Sequence, residues 1–119
     1  MDRNEMARRG EDAAAAYLER TGMTVVERNW RCTSGEADII GLDADELVIV
    51  EVKTRRSLNA GTAEEAVSEN KQRRLARVAR HYVAKAGLDT CPVRFDVIAI
   101  YPIAEDRAVL RHHRAAFTL

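Results

Sequence analysis

The segment Gly35–Lys53, GEADIIGLDADELVIVEVK, constrains the fold more than any other stretch of the chain. Its second half, ELVIVEVK, is apolar almost throughout and reads as a strand suited to burial, yet it ends on Glu51 and Lys53. A further acid, Asp38, lies in the strand before it. A carboxylate or ammonium buried without a partner costs several kcal/mol, so something has to compensate these charges.

Side chains alternate along a strand, which puts Glu36, Asp38 and Ile40 on one face and Leu47, Ile49, Glu51 and Lys53 on one face of the next. With DADE as the four-residue loop of a symmetric hairpin, Ile40 faces Ile49, Asp38 faces Glu51 and Glu36 faces Lys53. On the reverse side Ile39 meets Val50 and Ala37 meets Val52. A two-residue slip would keep the same faces, so the shared face is firmer than the register. Directly opposed carboxylates have Cβ atoms roughly 5 Å apart and destabilise a sheet unless a cation sits between them. A hard divalent ion resolves the conflict, since Mg²⁺ takes one or two carboxylates and otherwise water and substrate oxygens. Lys53 then stands within reach of whatever that ion binds. The Glu-x-Lys triplet alone is weak, because a surface hairpin with an incidental charge ladder would also contain it. Glu11 adds weight: it falls in the stripe Ala7, Glu11, Ala14, Leu18 of the first helix, the side expected to face the sheet, although a glutamate there can also snorkel to water.

Around this hairpin the pattern predicts a helix over Arg3–Arg20, stopped at Thr21–Gly22, and a strand from Met23 to about Arg31. Strands Glu36–Ile40 and Leu47–Thr54 follow, then the polar loop TRRSLNAGT. A second helix opens at Thr62 or Ala63 and runs to about Ala86, with Val67, Leu75, Val78 and Tyr82 on its apolar face. A strand over VRFDVIAIY and a weaker one over Ala108–His113 complete the order α-β-β-β-α-β-β. The fold class is α/β, a mixed β-sheet flanked by helices, and residues 1–119 read as a single domain without repeat or linker.

Hydrophobic residues at 46% and charged residues at 32% are an ordinary soluble composition. No apolar run reaches the ~18–20 residues of a membrane span, and the charged start MDRNEMARRGED does not precede a secretory segment, so the expected location is cytoplasmic with no membrane partner. Cys32 and Cys91 belong to no Cys-x-x-Cys pair and read as reduced thiols. His112 and His113 lack metal-ligand spacing and are expected to face solvent. Nineteen basic against nineteen acidic residues give zero net charge, so any nucleic-acid footprint must come from local clustering.

An acid followed by acid-x-Lys at the end of the next apolar strand resembles the PD-(D/E)xK nuclease core. GEADII, LVIVEVKTRR, RGEDAAAAYL, KQRRLARVARHYV and VRFDVIAI together resemble the YraN family of uncharacterised bacterial proteins. That family is similar to archaeal Holliday-junction resolvases and other restriction-endonuclease-like folds. Ala37 stands where a bulkier aliphatic is common, and the superfamily's proline before the first aspartate is absent. The resemblance implies a restriction-endonuclease-like core with a Mg²⁺- or Mn²⁺-dependent phosphodiesterase site. Asp38 and Glu51 would bind the ion, Glu11 would complete its shell directly or through water, and Lys53 would orient or help deprotonate the attacking water. Glu36 is expected to partner Lys53.

For substrate, Arg55, Arg56, Lys71 and Arg74 are the expected nucleic-acid contacts. Lys71 falls on the line Val67–Lys71–Leu75 and so borders the sheet near the site. Acids early and bases late in this helix also simply complement its dipole. Arg94 and Asp96 share a strand face, are expected to pair, and Arg94 is given a supporting role. Trp30 reads as core rather than as a base-stacking platform. The expected function is a metal-dependent endonuclease acting on structured or branched DNA. The alternatives are a nucleic-acid-binding or adaptor protein with this fold and little cleavage, or a nuclease acting on RNA. A homodimer would suit a two-fold junction.

Overall fold

The computed structural model describes residues 2–55 and 67–118. Its elements are α1 (Arg3–Arg20), β1 (Thr24–Cys32), β2 (Gly35–Asp43), β3 (Glu46–Thr54), α2 (Glu69–Ala86), β4 (Val93–Ala104) and β5 (Arg107–Phe117), the expected order α-β-β-β-α-β-β. The strands form one mixed sheet in the order β1-β2-β3-β4-β5, in which β3 and β4 are parallel and the other neighbours antiparallel. A parallel pair needs a crossover, and α2 lies within it.

Alternation along β3 sends Leu47 and Ile49 to one face, where they pack with Leu75, Val78 and Tyr82 of α2. Val48 and Val50 go to the other, against Ala14, Ala15 and Leu18 of α1. The helices therefore cover opposite faces, which is why the central strand is apolar throughout.

α1 begins on Asp2, whose carboxylate accepts the Glu5 N–H at 2.8 Å, and ends at Thr21 before Gly22 at φ +101°. Gly10 lies directly against Thr54, whose hydroxyl would have to move for any side chain there. This approach centres the buried stripe on Gly10, Ala14, Ala15 and Leu18, so Ala7 is exposed rather than packed and Glu11 sits at the stripe's edge.

The hairpin keeps the expected register, with Ile40 opposite Ile49 and Ile39 opposite Val50. Its connection is shorter than expected: Asp43 pairs with Glu46, leaving Ala44 and Asp45 as the turn, with Ala44 at φ +55°. The paired register ends at Ile39–Val50, and beyond it the Asp38 side chain accepts the Val52 N–H at 2.8 Å. At the same level Asn29 on β1 has φ +52°, which breaks the alternation. Arg28 and its neighbour Ile39 face α1, whereas Trp30 and its neighbour Ala37 both turn to the α2 side. Ala37 is thus not paired with Val52 on the reverse face. Trp30 is partly buried edge-on to Tyr82, with ring centroids 5.1 Å apart, in the expected core role.

α2 starts on Ser68, whose hydroxyl accepts the Lys71 N–H at 3.2 Å, and is closed by Gly87 at φ +71°. The expected opening at Thr62 or Ala63 lies outside the described residues. Val67 precedes the helix and packs with Val97, Ala99 and Tyr101. β5 runs on to Phe117, beyond the expected end at His113, because two register shifts let it follow the long β4. Among the described residues no helix is long and apolar enough to cross a membrane.

Candidate active site

β3 carries Leu47, Ile49, Glu51 and Lys53 on its α2-facing side. Glu51 is the buried member, 4% exposed. Its Oε2 is shielded from solvent and accepts no well-directed hydrogen bond. Two ammonium groups approach it instead, Lys71 Nζ at 2.5 Å and Lys53 Nζ at 3.8 Å. The Lys71 contact is an ion pair off the hydrogen-bonding direction. It bears out the expectation that Lys71 borders the sheet near the site.

The Asp38 carboxyl is in hydrogen-bonding contact with Glu51. Although Asp38 keeps some accessible surface, the atoms packed about its carboxyl desolvate it. Burial, reinforced by the facing Glu51 and by the charge of Glu11, pushes Asp38 up to about 8, against the opposing Val52 N–H. For Glu51 burial also opposes ionisation, but the Asp38 contact and the Lys71 and Lys53 charges outweigh it and hold the group below its ordinary value. The two facing carboxyls are thus shifted in opposite directions, Asp38 upward and Glu51 downward.

The other expected residues are dispersed. Glu11 belongs to α1 on the opposite face, where Arg28 Nη2 lies 3.6 Å from its carboxylate and 2.6 Å from Asp12. Its charge is felt at Asp38, but among the described residues no group of three or more His, Cys, Asp or Glu side chains converges to hold a metal. Glu11 is thus not gathered with Asp38 and Glu51 into the expected three-acid group. Glu36 forms its ion pair with Arg31 across the β1–β2 ladder at 3.0 Å, rather than with Lys53. Arg55 follows Lys53 at the strand end, its N–H bonded to the Ile100 carbonyl at 2.8 Å. Arg74 is exposed on α2, its stem over Gly35. Arg56 lies outside the described residues.

Arg94 does not support this site. It stands on the α1-facing side of β4 with Asp96, as their spacing implies, and binds that carboxylate at 2.9 and 3.1 Å. It also reaches Asp43 and Glu46, each at 3.0 Å, at the hairpin turn. His112 closes the same cluster with Nε2 2.7 Å from Asp96, and Tyr17 Oη lies 3.0 Å from its Nδ1. His112 is therefore buried, not solvent-facing, because β5 sets it against the Asp96 side of β4. Burial opposes ionisation of Asp96, but His112, Arg94 and the Ala115 N–H outweigh it and hold the carboxyl below its usual range. This cluster was invisible in sequence, where only the Arg94–Asp96 spacing hinted at it.

Fold and site together define an α/β protein with a nuclease-like core, in which a hairpin presents an acid against acid-x-Lys. The sequence profile of the uncharacterised protein family UPF0102, the YraN family, matches residues 10–100, and the chain belongs to that family. It is 44% identical over 111 residues to a UPF0102 protein of Geobacter sulfurreducens, covering 93% of this chain and 87% of the relative. A UPF0102 protein of Symbiobacterium thermophilum is 47% identical over 108 residues, covering 91% and 92% of the two chains. One from Rhodococcus jostii is 46% identical over 108 residues, with the same coverage of 91% and 92%.

Proposed function

We propose that the chain is a divalent-cation-dependent nuclease that hydrolyses phosphodiester bonds in DNA, with structured or branched DNA as the leading substrate class. The observation that carries this reading is the Asp38–Glu51 pair, two facing carboxyls beside Lys53. The donor set fits Mg²⁺ or Mn²⁺, which take one or two protein carboxylates and fill their remaining positions with water and phosphate oxygens. The buried, poorly hydrogen-bonded Oε2 of Glu51 is a ready ligand for such an ion. Asp38 and Glu51 would hold it, and when bound it would polarise the scissile phosphate and lower the pKa of the attacking water.

Lys53, fixed on the rigid strand and oriented by Glu51, donates hydrogen bonds to the water and to a non-bridging phosphate oxygen where negative charge develops. Asp38 would have to be ionised to hold the ion. On the same side of the sheet, α2 from Asn70 to Ala86 contains six Lys or Arg and no Asp or Glu. Arg73, Arg74, Arg77, Arg80 and Lys85 are exposed there, which gives a neutral chain a local cationic surface for phosphates.

A second reading, a nucleic-acid-binding protein that cuts little, draws support from the engagement of Glu11 by Arg28 rather than with the carboxylate pair. Cleavage of linear, flapped, four-way and single-stranded DNA, and of RNA, with Mg²⁺ or Mn²⁺ and with EDTA, separates the two. Metal-dependent cutting abolished by Lys53→Ala and by Asp38→Ala is the expected result. Cutting that survives EDTA or Asp38→Ala would overturn the assignment of a metal-dependent site at Asp38. No cutting of any substrate, with binding that weakens steeply in salt, would favour the second reading.

A further inference from the structure

Lys71 occupies an unusual position for a cation. It lies in the first turn of α2, where the helix dipole favours negative charge. Its ammonium nevertheless reaches the sheet and stands 2.5 Å from Glu51 Oε2, closer than Lys53 at 3.8 Å. The two partners differ in access: the Lys71 side chain is 35% exposed and that of Glu51 only 4%. Lys71 thus enters from the surface and covers a carboxylate oxygen that is otherwise shielded and lacks a directed hydrogen bond. That oxygen is the one best suited to a divalent ion. An ammonium and a divalent cation on one oxygen would repel each other directly, so one must leave when the other arrives.

We propose that Lys71 is the resident counter-cation of the carboxylate site, displaced when a divalent ion binds. The inference rests on reading Asp38 and Glu51 as a metal site. Lys71 suits the role because its charge sits on a flexible four-carbon stem open to solvent, so leaving Glu51 requires no movement of α2. Lys53 does not fill it, being farther from Oε2 and on the central strand. Once released, the Lys71 ammonium remains beside the site and meets the phosphate there, so one lysine compensates Glu51 before metal binding and the substrate after it.

Two measurements on the full chain at pH 8, without nucleic acid, test this. Mn²⁺ binding, read from the electron paramagnetic resonance of the free ion, is compared for wild type, Lys71→Met, Lys71→Arg and the remote control Arg80→Met. Lys71→Met is expected to bind about tenfold more tightly, because a like charge is removed from the ligand itself. Lys71→Arg and Arg80→Met are expected to stay near wild type. Separately, the side-chain ammonium resonance of Lys71 in the wild-type protein is expected to move to the position of an exposed lysine as Mg²⁺ is added. Unchanged or weaker Mn²⁺ binding in a folded Lys71→Met, or a Lys71 resonance unmoved at saturating Mg²⁺, would overturn the proposal while leaving the metal site standing. Absence of Mn²⁺ binding to every form would overturn both. Should Lys71→Met fail to fold, the wild-type resonance decides.

Discussion

Asp96 and Glu51 lie on the two adjacent parallel strands, 1% and 4% exposed, on opposite faces of one sheet. Asp96 has both oxygens satisfied: Arg94 and the Ala115 N–H serve one, Arg94 and His112 the other, at 2.7 to 3.1 Å. Glu51 faces a second carboxyl, and its buried Oε2 is approached by the ammonium groups of two lysines. A carboxylate with a complete set of donors is a structural strut, whereas one set against another acid stores electrostatic strain that a cation would relieve. Two carboxylates at similar depth in the same sheet thus differ: Asp96 on the α1 side is fully bonded, and Glu51 on the α2 side is the one proposed to take a cation.

The comparison breaks most visibly under mutation. Asp96→Ala strands His112 and leaves Arg94 only Asp43 and Glu46, and is expected to cost about 3–5 kcal/mol in urea unfolding. Asp38→Asn keeps a donor toward Glu51 and an acceptor for the Val52 N–H, so it is expected to change stability by less than about 1 kcal/mol or to raise it. If Asp38→Asn proves as damaging as Asp96→Ala, the distinction between the two acids fails.

Titration sharpens it, because the two groups are shifted in opposite directions. Asp38 is raised to about 8, so the folded state holds a proton that the unfolded chain releases near its ordinary value of 3.8. Its contribution to stability is full below about pH 4 and lost as pH rises to about 8. Asp96 is lowered, so its contribution is present above about pH 4 and lost on acidification below it. Unfolding free energy measured from pH 4 to 8 should fall less steeply in Asp38→Asn than in wild type, and an unchanged slope would contradict the assignment. The smallest effect is expected at the rim of the Asp96 cluster. Tyr17→Phe loses one hydrogen bond to His112, about 0.5–1.5 kcal/mol in the same unfolding assay.

Much of this fold was legible because apolar alternation decides which residues of a strand share a face. The β2–β3 register followed from pairing Ile39 with Val50 and Ile40 with Ile49, and Lys71 was drawn to the sheet by its place between Val67 and Leu75. What escaped depends on relations between elements. A stripe on α1 shows that one side is buried but not which face of the sheet it covers, so Glu11 was grouped with acids that lie across the sheet. The left-handed Asn29 reversed Ala37, an effect that no local pattern around Ala37 announces. His112 meets Asp96 only through a β4–β5 register with two shifts, which adjacent histidines in sequence do not reveal.

The central proposal is that the Asp38–Glu51 pair binds a divalent cation. Thermal unfolding at pH 8 with and without Mg²⁺, in wild type and Asp38→Asn, tests it without requiring a substrate. Binding to the folded state alone must stabilise it. The account predicts a melting temperature that rises with Mg²⁺ in wild type and a much smaller rise in Asp38→Asn. An equal rise in both proteins, or none in wild type, would contradict it.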